Sequence, residues 1–467
     1  MQPLRPMISM PIILLALLLL IAAPGFLTGW SDLRHAEAAL SVKNYSEAVR
    51  YSTSAAERLW WREDLWEQAG RAALANGDAP GAVLLLQKTH HLSREGRLAL
   101  GDAYQLSGEL DSALVTYQTM LSEYGASAVL QERIAAIYRS KEDWAAEAAT
   151  LNVLLTLRPG NAAAHYRLGL LTIISQPDQA LPELLLAARQ DPAFDPAVQT
   201  LRTALNLTSL KEDTARRMMI LGRGLGLVQE WPLAAEVFRQ AASRYPDQAE
   251  AWAWLGEAHQ HLGEDGLPEL QKAMSLDPDS ATVQALQGMY WKRHERPDRA
   301  LANFQKAAAL EPSNPAWQAA LGETMAQSGD LPPALAVYQQ AVELAPQDGL
   351  YWRLLATFCV QYNVQVEEIG LPAAEHAVTL GPEDAQSLDI LGWVYLSLGR
   401  LEEARQSLSH SLELDSASAA THLRLAMLFL QRGEKTMAHD HLIQAQLLAG
   451  DDPLGRQAAQ MLAQYFP

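Results

Sequence analysis

The sequence predicts an all-α protein, an array of stacked helix pairs preceded by one N-terminal hydrophobic helix. A small residue returns at a nearly constant spacing through the C-terminal half: Gly222, Gly256, Gly288, Gly322, Ala356, Gly392 and Ala426. The steps between these residues are 34, 32, 34, 34, 36 and 34. Because a glycine inside a helix costs about 1 kcal/mol relative to alanine, its return at a fixed phase requires a packing reason. Such a period is typical of arrays of two-helix units.

The first element is an uncharged stretch at residues 7–28, whose most apolar part is residues 12–23. About 20 apolar residues span a bilayer, so the whole stretch is long enough for a transmembrane anchor. The short apolar core, followed by Pro24 and Gly25, is also typical of a cleaved signal peptide. Both interpretations of residues 1–30 stay open. Positive charge ahead of the stretch predicts that the remaining chain lies outside the cytoplasm, either anchored by a single span or secreted.

Residues 31–194 form the first predicted block of helix pairs. The series of small residues continues backwards as Gly70, Gly101, Ala135 and Gly169, and a poorer unit occupies residues 31–62. From Gly169 to Gly222 the step is 53 residues. This slip in phase predicts an unpaired extra helix within residues 195–214.

Residues 215–450 form the second block, and residues 451–467 are predicted to be a capping helix. Other positions keep the same period, with alanines twelve residues after the small residue, aromatic residues sixteen after it, and prolines closing the unit: Ala234, Ala300, Ala334, Ala404, Ala438, Phe238, Phe304, Tyr338, Pro246, Pro312 and Pro346. Asp451 and Asp452 before Pro453 have the residue types of a helix start. A terminal cap is expected because the last unit would otherwise expose its apolar face. The count is about twelve units and roughly 25 helices.

These positions resemble the tetratricopeptide repeat family. One unit reads Leu321-Gly322, Gly329, Ala334, Tyr338, Ala341 and Pro346, and the next units continue with Trp352, Leu355-Ala356, Leu391-Gly392, Tyr395, Gly399 and Ala404. The resemblance implies a right-handed α-α superhelix, a solenoid whose concave groove is lined by the first helix of every unit. It also implies that the groove binds a segment of another protein.

Transferring the family's groove positions to this chain gives the candidate partner-binding residues Arg223, Met289, Lys292, Arg293, Arg353, Trp393 and Met427, with Arg216, Leu396, Leu423 and Leu430 in the same set. The cations would bind carboxylates of the partner, since arginine makes bidentate contacts with them. Two interpretations of Trp393, Leu423 and Leu430 stay open: they line the groove, or they pack against the capping helix. The cluster Trp60, Trp61 and Trp66 either stacks on a sugar or peptide or belongs to the core between units.

Composition narrows the function classes. The net charge of −18 argues against nucleic-acid binding, which needs a basic stripe, and it disfavours an anionic membrane surface. Cys359 is the only cysteine, so an intramolecular disulfide is impossible, and its position predicts a buried thiol. The closest histidine pairs, such as His439 and His441, do not share a helix face and are poor metal ligands.

No sequence motif of catalysis or of nucleotide binding is present, and the repeats occupy residues 31–450. We therefore expect no enzyme activity, no cofactor, no metal site and no small-molecule substrate. The predicted function is a non-catalytic scaffold, tethered to the cell envelope through residues 7–28, that binds another protein in its groove. The alternative is an accessory subunit of a cell-surface polysaccharide or secretion machine.

Overall fold

The computed structural model of the protein describes residues 10–209 and 213–466, and the side chains among them from residue 25 onward. This described part contains 26 α-helices and no strand, so the predicted all-α class is confirmed. The chain divides into two compact units, Met1–Arg202 and Thr203–Pro467, which are called unit 1 and unit 2 below.

Unit 1 contains α1 (Met10–Ser41), α2 (Tyr45–Arg58), α3 (Asp64–Ala75), α4 (Ala79–Leu86), α5 (Arg94–Leu106), α6 (Leu110–Tyr124), α7 (Ala128–Ser140), α8 (Trp144–Leu157), α9 (Ala162–Ser175), α10 (Leu181–Gln190) and the beginning of α11 (Asp195–Ser209). Short 3₁₀ turns at Pro177–Gln179 and Pro192–Phe194 flank α10. Each helix packs mainly on its neighbours in sequence, as in α1 with α2 and α7 with α8.

Unit 2 contains the end of α11, then α12 (Thr214–Leu227), α13 (Trp231–Arg244), α14 (Ala249–His261), α15 (Leu267–Leu276), α16 (Ala281–Arg293), α17 (Pro297–Leu310), α18 (Pro315–Gln327), α19 (Leu331–Leu344), α20 (Gly349–Tyr362), α21 (Leu371–Leu380), α22 (Ala385–Ser397), α23 (Leu401–Leu414), α24 (Ala419–Gln431), α25 (Lys435–Ala449) and α26 (Pro453–Tyr465). A π-turn at Val366–Gly370 precedes α21. Within unit 2, each helix pair is one repeat unit. Even-numbered helices from α12 to α24 are the first helices of their repeat units, and the odd-numbered helices that follow are the second.

The recurring small residue marks the contact between the two helices of a unit. A Cβ atom placed on Gly222 would lie 2.4 Å from the Phe238 ring, and one on Gly392 would lie 2.5 Å from Leu408 Cγ. Phe238 comes sixteen residues after Gly222 and is fully buried. The small residue therefore recurs because a second-helix side chain occupies the space that its own side chain would need.

A residue in the left-handed region of φ ends most first helices, seven positions after the small residue. Gly329 and Gly399 hold this position with φ of 87° and 73°. Glu142, Gln229 and Glu295 hold it in other units with φ from 54° to 62°, although only glycine adopts that conformation without cost. In the repeats that contain Gly329 and Gly399, the break between the two helices therefore falls at these glycines.

The capping helix is α26. Its Ala458 is fully buried and packs with Leu423 and Leu442 of the last helix pair, so α26 covers apolar surface at that end of unit 2. Asp452 is at the N-cap, but its side chain accepts no capping hydrogen bond.

The predicted hydrophobic segment of residues 7–28 falls largely outside the residues whose side chains are described. Among the described residues, no helix combines the length and the apolar character that are needed to cross a membrane.

Candidate functional site

The first helices of unit 2 contact one another in sequence. The contacts run from α12 to α14 and α16, and again from α18 through α20 and α22 to α24. The second helices instead pack between their own first helix and the next one. The first helices therefore form rows in which side chains of successive units can meet.

At one register position in these rows, side chains contact the neighbouring repeat unit. This position is the residue directly after the small residue, and we call the set the inner line: Arg223, Glu257, Met289, Glu323, Thr357, Trp393 and Met427. Because consecutive helical residues point roughly 100° apart, this position is turned away from the second helix. Its side chains contact the adjacent unit in several places. The Arg223 guanidinium lies 5.1 Å from the centroid of the Trp254 ring, for example.

Arg293 is bound by a buried acid of the preceding unit. Its Nη1 donates to Glu257 Oε2 at 2.7 Å, and its Nη2 donates to the other carboxylate oxygen. The Glu257 side chain is only 2% exposed, and His261 Nε2 lies 3.1 Å from the same carboxylate. The ring of Trp231 stacks on His261 with 3.6 Å between centroids. Arg293 thus neutralises an internal carboxylate as part of the fold.

Lys292, the preceding residue, is bound in the opposite direction. Its Nζ lies 2.5 Å from Glu323 Oε1 of the following unit. Both side chains are substantially exposed, 33% for Lys292 and 47% for Glu323. Exposed pairs of this kind contribute little to stability, so Lys292 can exchange its partner more readily than Arg293.

Arg353 lines a cleft between the beginnings of α20 and α22. The cleft has a volume of about 540 Å³ and includes Asp384 and Ser387. Arg353 Nη1 lies 2.5 Å from Asp384 Oδ2, to which the Ser387 hydroxyl also donates at 2.6 Å. Burial opposes ionisation of Asp384, but the hydrogen bond from Ser387 and the charge of Arg353 bring its pKa below the ordinary value. Arg353 therefore also has an internal carboxylate.

Trp393 is covered on one face by a buried cation. The Arg424 guanidinium lies 4.4 Å from the centroid of the Trp393 ring and is paired with Asp389. Burial lowers the pKa of Arg424 to about 10. Trp393 also packs against the apolar cluster formed by α18 to α22. Among the described residues, the apolar cluster around Ala458 of α26 does not include Trp393.

The remaining apolar candidates divide by burial. Leu423 packs with Ala458 of the capping helix, and Leu396 is buried as well. Met427 and Leu430 are partly buried against the apolar cluster that contains Leu425 and Leu428, and Phe466, which directly follows α26, packs against the same cluster. Met289 is partly buried between two neighbouring clusters. Of this group, the two methionines and Leu430 keep some exposed surface.

Arg216 and Arg223 lie on α12, seven residues apart, and both side chains are exposed. Neither makes an ion pair with another residue among those that the structure describes. The two side chains therefore lie on one side of α12, about 10 Å apart along its axis, since positions i and i+7 lie nearly in line.

The acidic members of the inner line were missed by the sequence reasoning. Glu257 and Glu323 stand one residue after the small residue, so the same counting finds their positions. The pattern also occurs in unit 1, where Asp102 follows Gly101 and accepts from Arg133 Nε at 2.5 Å. What the counting does not give is which cation reaches each acid.

The tryptophan cluster of unit 1 is divided by the fold. Trp66 packs on the core that includes Leu33 and Leu59, and Lys88 Nζ lies 4.0 Å from its ring centroid. Trp60 and Trp61, in the α2–α3 connection, are 76% and 41% exposed. Trp66 is therefore a core residue, whereas Trp60 and Trp61 belong to the surface.

The structure also shows the environment of Cys359 and of the histidines that the sequence analysis considered. Cys359 is fully buried, as predicted, and burial raises the pKa of its thiol to about 12. His441 is paired with His422, whose Nδ1 lies 2.9 Å from His441 Nδ1, and not with His439. Within the described residues, no group of three or more His, Cys, Asp or Glu side chains is arranged to hold a metal ion.

Comparison with known proteins identifies the repeats in unit 2. Residues 225–280, 293–357 and 385–418 match models of the tetratricopeptide repeat. The predicted repeats are therefore confirmed in these three stretches. No curated protein matches the chain in sequence.

Several solved structures resemble the chain at low identity. The Cut9–Hcn1 hetero-tetramer of APC/C aligns with 91% of this chain and 95% of its own, at 15% identity and a TM-score of 0.48. Yeast Tom70 aligns with 93% of this chain and 95% of its own, at 15% identity and a TM-score of 0.42. Pseudomonas aeruginosa pilF aligns with 46% of this chain and 98% of its own, at 18% identity and a TM-score of 0.37.

Proposed function

We propose that this protein is a non-catalytic scaffold that binds a segment of another protein along the first helices of unit 2. The observation that carries the proposal is the inner line, in which Arg223, Met289, Trp393 and Met427 share one register position with two glutamates and a threonine. Helical backbone groups are already hydrogen-bonded within their helices, so recognition there depends on side chains. Methionine adapts its shape to varied partners, and arginine offers paired donors to carboxylates.

The ion pairs decide which cations are available to the partner. Arg293 and Arg353 already have internal carboxylates, and Arg293 neutralises one that is almost completely buried. Arg223 stands on the Trp254 ring with its donors free of internal carboxylates among the described residues, and Arg216 is its neighbour on α12. The partner's acidic groups are therefore expected at α12, and its apolar groups along Met289 and Met427.

Site-specific photocrosslinking tests this assignment. A photoreactive residue replaces Arg223, Met289 or Met427 on first helices, and Gln305, Gln339 or Ser409 serves as the matched control. The controls are exposed and lie on second helices in equivalent register. We expect crosslinked partner protein, identified by mass spectrometry, from the first-helix positions only. Equal yields at the control positions would contradict the proposal.

The same proposal includes tethering to the cell envelope through residues 7–28, with the repeats outside the cytoplasm. Support comes from the uncharged stretch in the sequence and the positive charge that precedes it. The full chain should remain in the membrane pellet after carbonate washing and should be digested by protease added to intact cells or spheroplasts. A soluble form that begins near Phe26 or Trp30 would establish the cleaved signal instead.

An accessory subunit that binds polysaccharide is the alternative. Sugar binding needs exposed aromatic faces, and the inner line offers one ring, Trp393, with Arg424 over one face. The methionine and arginine positions therefore favour a protein partner over a glycan.

A further inference from the structure

An exposed cluster of apolar side chains lies at the beginning of unit 1. We call it the aromatic patch: Phe26, Leu27 and Trp30 on α1, with Trp60 and Trp61 from the α2–α3 connection. The five residues are 45%, 73%, 44%, 76% and 41% exposed, respectively. Phe26 stacks on Trp61 with 4.6 Å between ring centroids, and Trp60 meets Trp61 edge to face at 5.8 Å. Adjacent exposed rings of this size indicate an interaction surface.

The patch is held rigidly against α1. A Cβ atom on Gly29 would lie 2.9 Å from Leu59 Cγ, so the end of α2 approaches the α1 backbone closely at this point. Leu33 and Leu59 are buried in the same contact. The α2–α3 connection therefore keeps Trp60 and Trp61 at the level of Phe26.

The position of the patch along α1 indicates its depth relative to a bilayer that holds the apolar run. The apolar run of the sequence ends at Ala23, and α1 extends without interruption from Met10 to Ser41. At 1.5 Å per residue, Phe26 lies about 4.5 Å beyond the run and Trp30 about 10 Å beyond it. The headgroup layer of a bilayer is roughly 5–7 Å thick on each side of the hydrocarbon. Phe26, with Trp61 stacked on it, thus lies at the depth at which tryptophan concentrates in membrane proteins, and Trp30 lies a few ångströms farther from the hydrocarbon.

Two arginines beside the patch are already paired. Arg62 lies over the Trp30 ring at 5.9 Å and donates to Asp64 at 2.8 and 2.7 Å. Arg58 is bound to Asp32. Between residues 25 and 64, all of which the structure describes, acidic residues outnumber Lys and Arg by six to five. Contact with the bilayer would therefore depend on the rings and not on positive charge.

We propose that the aromatic patch is a membrane-contact surface at the headgroup layer of the bilayer, at the end of the proposed 7–28 tether. The inference rests on the proposed tether and adds to it. The first repeat would contact the lipid surface directly and would not be separated from it by a linker. The preferred lipid surface is zwitterionic, and the contact is insensitive to salt.

A polarity-sensitive fluorophore on Trp60→Cys tests the proposal in the full chain reconstituted into phosphatidylcholine vesicles. The native Cys359 is fully buried and its thiol stays protonated, so labelling is confined to the new cysteine. Val115→Cys, 62% exposed on α6, is the control, and Leu27→Cys is a second probe should Trp60→Cys fold poorly. We expect blue-shifted emission from the probes at residues 60 and 27. Spin-labelled lipid should quench these probes more strongly than aqueous iodide does, and high salt should change neither result. The residue 115 probe should behave as in water.

Three results would overturn the assignment, and each has a different meaning. A chain that does not float with the vesicles contradicts the tether itself. A chain that floats, with the residue 60 probe as accessible to iodide as the residue 115 probe, leaves the tether standing and removes the membrane contact. A probe shielded from both iodide and lipid quencher shows that a second copy of this chain, and not lipid, covers the patch.

Discussion

Arg293→Met is expected to destabilise the fold around α14 and α16, although Arg293 was selected from the sequence as a residue for binding a partner. Removing one member of a buried ion pair typically costs 3–5 kcal/mol because the other charge is left unpaired. Glu257 is 2% exposed, but Arg293 is 35% exposed and His261 lies beside the same carboxylate. Partial solvent access and this second neighbour reduce the expected cost to about 2–3 kcal/mol.

Local hydrogen exchange is the appropriate assay, because a repeat array does not unfold as one two-state unit. A loss of 2–3 kcal/mol corresponds to roughly 30- to 140-fold faster exchange of the best-protected amides. The increase should be confined to α14, α16 and the helices packed on them. Lys292→Met is the matched control, because its exposed pair with Glu323 should contribute less than about 1 kcal/mol.

The double variant Arg293→Met with Glu257→Leu separates the two explanations. If the cost arises from the unpaired carboxylate, replacing both charges by apolar side chains should restore most of the protection. Protection that is unchanged in Arg293→Met would refute the structural role. Arg293 would then return to the set of cations available to a partner.

Two further predictions concern packing and pH. Gly222→Ala should be destabilising by about 1–3 kcal/mol, because the new methyl group would overlap the enclosed Phe238 ring; in Gly322→Ala the nearest Tyr338 atom is 3.1 Å away, so the gain in helix propensity should offset the contact. Equal denaturation midpoints for the two variants would contradict the packing explanation of the period. Burial lowers the pKa of His422, and burial together with the charge of His422 lowers that of His441, so the native state holds both neutral. Protection of α24 to α26 from hydrogen exchange should therefore be complete above pH 6.5, the ordinary histidine pKa, and should fall as the pH decreases below it. His441→Asn should reduce this pH dependence. An identical profile in the variant would exclude the histidine pair as its source.

The sequence predicted the helix pairs well because their signals are local. Gly329 and Gly399 mark the breaks between helices through a backbone conformation that few other residues tolerate. Gly222 and Phe238 are sixteen residues apart in one helix pair, so their contact follows from the repeat itself. Each of these constraints involves residues within a single unit of about 34 positions.

The candidate site was predicted only in outline. Counting from the small residue gave the positions of Arg223, Met289 and Trp393 on the first helices, and the structure places them there. It did not show that Arg353 is paired with Asp384, or that Arg424 covers one face of Trp393. Those contacts join different units, and nothing in the period of one unit specifies them.

Lys292 and Arg293 show most directly what the tertiary structure decided. The sequence determined that two adjacent cations end a first helix, and by itself it gave them the same expected role. In the fold, Arg293 reaches back to the buried Glu257 and Lys292 reaches forward to the exposed Glu323. The physical reason is that adjacent helical residues point roughly 100° apart. Each side chain therefore faces a different neighbouring unit, whose acid lies more than 30 residues away in sequence and differs in burial.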